Sequence, residues 1–208
     1  MNIQFQVNQK KNDRFFDKIS SLKPLMQELS LMGQSAVQKN IENNTPPPNA
    51  PLTKEVKQGS NTLKDNGRLR ASITARHTES DATIGTNVAH ARVHNPEDGR
   101  TETVIKPKKA KFLTIPASPK TRTFQRRYGF SAREVIEGLK NDGWIVYRPY
   151  KKGTRQRANV IMAKKPEGKA VCVFILKTSV TVPARPFMFL PDDVIAKMET
   201  RVVDYYES

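Results

Sequence analysis

Val180-Thr-Val-Pro-Ala-Arg-Pro-Phe-Met-Phe-Leu-Pro-Asp-Asp193 joins an apolar run, Val171–Leu176, to the last helical pattern of the chain. Pro183 and Pro186 fix their own φ and push the residues before them towards extended conformations, so Arg185 is expected in a stiff corner. Beyond it, Asp192 and Asp193 suit the positive end of a helix starting near Pro191. Val194/Ile195, Met198 and Val202 mark one apolar face of that helix. A strand, a rigid turn and a closing helix, with no regular βαβ alternation upstream, indicate an α+β fold. Its expected parts are N-terminal helices, a mixed, mostly antiparallel sheet and a C-terminal helix.

Upstream of the corner, Trp144–Tyr147, Asn159–Ala163 and Ala170–Leu176 read as strands, parted by a basic loop and by Lys165-Pro-Glu-Gly168. Ser131-Ala-Arg-Glu134 is a capping box that opens a helix with Val135, Ile136 and Leu139 on its apolar side, stopped at Asn141-Asp-Gly143. Lys120–Tyr128 has a loop-like composition, and Phe112, Leu113 and Ile115 predict a strand closed by Pro116. Ile73, Ala75 and His77, then Ala82 and Ile84, alternate around Ser80-Asp81 as a hairpin does. Val88–His94 fits a helical turn ended by Asn95-Pro96, and Gly67–Ile73 resumes structure after the proline-rich stretch.

Towards the N-terminus, Ile3, Phe5 and Val7 alternate as in a short strand. Phe16, Ile19, Leu22, Met26, Leu29, Met32/Gly33, Val37 and Ile41 recur at helical spacing, which predicts one broken or two consecutive helices over 12–43. Pro24 suits the first turn of the second, with Ser20 or Ser21 as cap. The expected organisation is a single α+β domain over 1–208, with a helical region 1–44, an extended Pro-rich linker 45–66 and a basic insertion-like region 100–170.

The net charge of the 208 residues is +16, which at this length calls for an anionic partner. Arg100–Ala170 holds 19 Lys/Arg against 5 Asp/Glu, a net of +14, which leaves +2 for the rest. Within it, Lys106, Lys108, Lys109 and Lys111 precede Arg122, Arg126, Arg127 and Arg133, which interleave with Phe124, Tyr128 and Phe130. Lys151, Lys152, Arg155 and Arg157 then join Arg148 beside Tyr147 and Tyr150. Cations bind phosphates without reading sequence, and aromatics stack on exposed bases. The same pattern serves an acidic protein surface or a solvated loop, and no nucleic-acid-binding signature organises it.

Other chemistry is thinly supported. Cys172 is the lone cysteine, so no disulfide forms within the chain, and it reads as an apolar filler in a strand. His90 and His94 have a spacing that one helical face could turn to zinc, but only His77 remains to complete a shell. No catalytic residue, metal site or cofactor is expected, and Asp192-Asp193 suits a helix start better than a nuclease centre. No run reaches the roughly 18 apolar residues of a membrane span, and the start lacks a signal-peptide pattern. A soluble protein made in a reducing cytoplasm is expected, with no membrane partner.

Three blocks, in order, resemble the virion morphogenesis (tail completion) family of tailed phages and prophages. They are Leu63–Ile73, with Gly67, Leu69, Ser72 and Ile73; Ile84–His94, with Ala91 and His94; and Val182–Leu190, with Pro183, Ala184, Arg185, Pro186 and Phe187. Asn66, His90 and Asn95-Pro96 stand where the family usually has threonine, tyrosine, and an aromatic with glycine. The resemblance implies a structural virion protein, assembled in the host cytoplasm and acting in tail completion or head–tail joining. It further implies a homo-oligomeric ring at the neck or head-proximal tail end, among connector and tail proteins. The basic region would then face genomic DNA, without sequence preference, or an acidic neighbour. A nonspecific DNA-binding protein and a phage nuclease are the alternative classes.

Overall fold

The computed structural model describes residues 2–6, 22–57, 59 and 61–207. The strand position Val7, the helical positions Phe16 and Ile19, and the caps Ser20 and Ser21 lie outside the described residues. The fold is α+β, with antiparallel sheets and a C-terminal helix. The chain divides into two compact units: Met1–Pro48, Gly59–Thr103 and Pro183–Ser208 form a motif unit, and Asn49–Gln58 with Val104–Val182 form a cationic unit. The segment read as an insertion is therefore most of the second unit, which extends on through the last strands.

In the motif unit, β1 (Asn2–Gln6), β2 (Ile73–His77) and β3 (Asp81–Thr86) form an antiparallel sheet in the order β1-β3-β2, with Ile84 opposite both Ile3 and Ala75. Helix α1 (Lys23–Glu42) has Pro24 in its first turn, where the missing N–H costs nothing. It packs on this sheet through Gly33, where an added Cβ would lie 2.6 Å from Ile84 Cδ1. The closing helix α7 (Asp192–Glu207) buries Met198 against Leu25, Met26 and Leu29 of α1. Arg201 holds Glu28 through two bonds of 2.6 and 3.1 Å, and that pairing keeps the Glu28 carboxyl below its usual range.

In the cationic unit, β5 (Leu113–Pro116), β6 (Ile145–Tyr147), β7 (Val160–Lys164) and β8 (Val171–Lys177) form an antiparallel sheet in the order β5-β8-β7-β6. Helices α5 (Pro119–Tyr128) and α6 (Ala132–Asn141) belong to this unit. Val135 and Leu139 of α6 bury with Ala163, Val173 and Phe174 of the sheet, and Phe124, Tyr128 and Trp144 close the margin. The predicted capping box is present: Ser131 Oγ accepts from the Glu134 N–H, and Glu134 accepts from the Ser131 N–H at 2.9 Å.

Two expectations need correction, and one strand pair was not anticipated. Lys120–Tyr128 is helix α5, not loop. Ser118-Pro119 starts it, and its inner face is built from Thr121, Phe124, Gln125 and Tyr128, at spacings of three and four. Thr121 Oγ1 donates to the buried Val173 carbonyl at 2.7 Å, so a polar residue does the work of an apolar one. The Pro-rich linker is not extended throughout, because Pro51–Val56 forms the short helix α2, with Pro51 pre-set at its first position and Val56 buried. Two strands went unread: β4 (Glu102–Ile105) and β9 (Val180–Pro183) pair with each other.

Candidate functional site

The motif residues converge. Gly67, at φ 81°, is the left-handed residue that starts the turn α3 (Arg68–Ala71), a conformation glycine adopts without steric cost. That turn buries Leu69, and Ser72 follows, its hydroxyl bonded to the Leu69 carbonyl and within 2.7 Å of Thr86 Oγ1. Leu69 and Ile73 from the first block, Ile84 and Ala91 from the second, and Phe187 and Met188 from the third share one buried cluster with Val37 and Ile41 of α1.

Around this cluster the Pro-Ala-Arg-Pro corner is clamped by polar groups. Asn95, after the turn α4 (Ala91–His94), accepts from the N–H groups of Phe187 and Met188 at 2.9 and 2.8 Å. Asn40 of α1 donates to the carbonyls of Phe187 and Phe189 at 3.0 and 2.9 Å. Ala184 N–H donates to the Thr101 carbonyl and Arg185 N–H to that of His94. Arg185, a residue only 4% exposed, donates through its guanidinium to the carbonyls of Pro47 and Pro48 at 2.8 and 3.3 Å. The N–H groups of Ala184, Arg185, Phe187 and Met188 and the carbonyls of Phe187 and Phe189 thus all find partners, as buried main-chain groups must.

His94 carries the electrostatic signature of the clamp. Burial, then the Arg185 guanidinium, then His90 hold its pKa down to about 4. His90 is also pushed down, by burial and by Arg68, and Arg185 itself is lowered by burial. A cleft of about 420 Å³ opens beside the clamp, lined by Thr86, Asn87, Val88, Ala89, Ala91, Arg92, Asn95, Phe187 and Met188.

The cationic candidates lie in the other unit on three stretches. Lys106, Lys108, Lys109 and Lys111 are exposed between β4 and β5. On α5 and α6, Arg126 is exposed, Arg122 is half-buried, Arg127 pairs with Asp142 at 2.7 Å and Arg133 with Glu137 at 3.5 Å. The third stretch is an arm continuing the β6–β7 hairpin past the Tyr150–Arg157 bridge. There Lys151 N–H donates to the Gln156 carbonyl and Ala158 N–H to that of Pro149. Arg157 lies 3.9 Å from the Tyr150 ring centre, and Arg148 lies 5.1 Å from that of Phe112 and donates to the Ala158 carbonyl. The arm is therefore ordered by its own cations, with Lys151, Lys152, Arg155 and Arg157 outward.

Charge divides as sharply as packing. The motif unit contains 15 Lys/Arg and 15 Asp/Glu, and the cationic unit 21 and 5, so the second carries the whole net +16. Cys172 is half-buried in β8, its thiol pushed up by burial. Among the described residues no group of three or more His, Cys, Asp or Glu could hold a metal ion, and no helix is long and apolar enough to cross a membrane.

Asn40 and Asn95 are the site residues that sequence reasoning missed. Asn95 was legible only as the end of a helical turn, and Asn40 sits between Val37 and Ile41 in a stripe read for its apolar members.

A profile of the phage virion morphogenesis family matches residues 4–136. That is well over half of the chain, and the chain belongs to this family. The match spans the first two motif blocks and ends inside α6; the Pro-Ala-Arg-Pro corner lies beyond it. No curated protein and no solved structure matches significantly. Family membership gives the chain a role in building the phage virion.

Proposed function

We propose that this virion-assembly protein completes the tail and joins it to the head, as a non-enzymatic, multimeric component of the neck or head-proximal tail end. The observation that carries the reading is the division of labour between the units. A neutral unit holds the family motifs in one clamp, and a second unit displays a net charge of +16. The clamp is architectural: Pro183, Arg185, Pro186 and Phe187 fix the start of the closing helix, with Asn95 and Asn40 as their supports. The displayed cations meet phosphate or carboxylate on a neighbour, either the genome backbone on its path through the neck or an acidic connector surface.

Deleting the gene in an inducible phage tests this reading. Heads and tails should accumulate separately, with normal proteins in each, and supplying the chain in trans should restore infectious particles. Normal particles without it would overturn the reading. Electron microscopy of particles carrying a tagged copy should find density between head and tail. Duplex binding by the isolated monomer, steep in salt, with normal virion assembly in its absence would favour a nonspecific DNA-binding protein instead.

A further inference from the structure

The sheet of the cationic unit has a second face. Its register puts Val146, Ile161 and Phe174 towards the core shared with α6. A bulge opposite Ile161/Met162 turns both Val173 and Phe174 to that core and shifts the alternation by one residue, so Ile115, Ile145, Tyr147, Met162, Cys172 and Ile175 point the other way. None of these six joins a buried core cluster among the described residues; Ile145 and Tyr147 are 49% and 36% exposed, and the other four are half-buried. Lys164 and Lys177 share this face by the same alternation. An apolar sheet face with a cationic margin is a surface that calls for a cover.

The chain carries a matching surface on its other unit. Helix α7 turns Met198 inward, and at 100° per residue Asp192, Ile195, Ala196, Glu199, Val203 and Glu207 fall along one outer stripe. Ile195 and Val203 are 40% and 51% exposed there. The two cations of the helix lie off the stripe, Lys197 paired with Asp193 and Arg201 with Glu28. The stripe is therefore acidic and apolar with no positive charge. A 16-residue helix of about 24 Å suits a four-stranded sheet roughly 15–20 Å wide.

We infer that the outer stripe of α7 in one copy docks on the open sheet face of the cationic unit in the next copy. The inference rests on the multimeric reading above. Charge selects this pairing: two cationic units meeting face to face would repel, whereas acidic α7 against Lys164 and Lys177 attracts. The contact joins two different surfaces, so it is heterologous, and its repetition closes a ring or runs on as a filament.

Cys172, the lone cysteine, lies on the docking face and gives a clean test. In the full-length chain, V203C and I195C place a second thiol on the stripe. A short bismaleimide should link either variant into a ladder of covalent multimers, and adding C172A should abolish the ladder. D192K/E199K/E207K and K164E/K177E should each reduce self-association at least tenfold in sedimentation, and mixing the two should restore it. Both sets alter exposed or half-buried charges, so circular dichroism should stay unchanged. Multimers that form but do not link through Cys172 would overturn this seam and leave the multimeric reading standing. Linking only within one chain would overturn the seam as well. A chain that stays monomeric at every concentration would overturn both.

Discussion

Arg185 and Arg155 carry the same charge in opposite circumstances. Arg185 is buried in the motif unit, and its guanidinium bonds to two proline carbonyls. Arg155 stands exposed at the tip of the cationic arm. The same contrast holds for the units as wholes: one balances its charges and buries polar groups to define a turn, whereas the other displays its cations. A buried cation acts on stability and an exposed one on association, because desolvation penalties and solvent screening act at opposite ends of the exposure scale.

The sharpest way to break this contrast is to truncate both arginines. Arg185→Ala should cost about 3 kcal/mol, because buried carbonyls lose their donor. In a chain of this size that is a fall of roughly 6–12 °C in Tm. Asn95→Ala, which orphans two buried N–H groups, should cost a similar amount. Arg155→Ala should leave Tm within about 2 °C, both variants being read by scanning calorimetry. Equal effects at Arg185 and Arg155 would show that burial does not separate the roles of the two units.

A second test titrates the clamp. In the native state His94 stays neutral down to about pH 4, whereas in the unfolded chain it takes up its proton near its ordinary value of about 6.5. Between these values the unfolded state binds more protons, so stability rises with pH through the window and is lost as pH falls from 6.5 towards 4. The loss should reach at most about 3 kcal/mol. Urea unfolding at several pH values should give a slope in the wild type that His94→Gln flattens. Parallel slopes would mean that His94 is not buried neutral.

Gly33→Ala should cost about 1 kcal/mol net, because the strain of displacing the buried Ile84 Cδ1 outweighs the roughly 1 kcal/mol that alanine gains in a helix interior. A variant as stable as the wild type would mean that α1 rides further from β3 than the close approach indicates.

How much of this was legible in the sequence depended on how locally each feature is encoded. The capping box at Ser131, the β2–β3 hairpin and the corner at Pro183 each rest on residues a few positions apart, and all three were readable. Helix α5 was not, because its inner face uses Thr121 and Gln125, whose value appears only once the Val173 carbonyl and Phe130 carbonyl stand opposite them. The β4–β9 pair joins strands some 75 residues apart (102–105 and 180–183), and neither strand is long enough to declare itself by alternation. The clamp fell between these cases. Its corner was visible, but Asn40 and Asn95 gain their meaning from partners 147 and 92 residues away.

The smallest expected change in stability carries the most information about the cationic unit. Lys152 and Arg155 have no hydrogen-bond or ion-pair partner among the described residues, whereas Arg157 is engaged by the Tyr150 ring and the Arg148 carbonyl. Lys152→Ala/Arg155→Ala should therefore leave unfolding unchanged within about 0.5 kcal/mol. If the arm meets phosphates, the same double variant should lower the slope of log affinity against log salt for duplex DNA by about 2, close to one per lost contact. If the arm meets carboxylates on a connector protein, DNA binding should stay weak in both forms, and the variant should instead fail to complete particles. Arg157→Ala should add a loss of order in the arm, because it removes the bond and the ring contact that hold the hairpin's end. A double variant that lowers Tm as much as Arg157→Ala would make the outward cations structural, and the contrast with Arg185 would collapse.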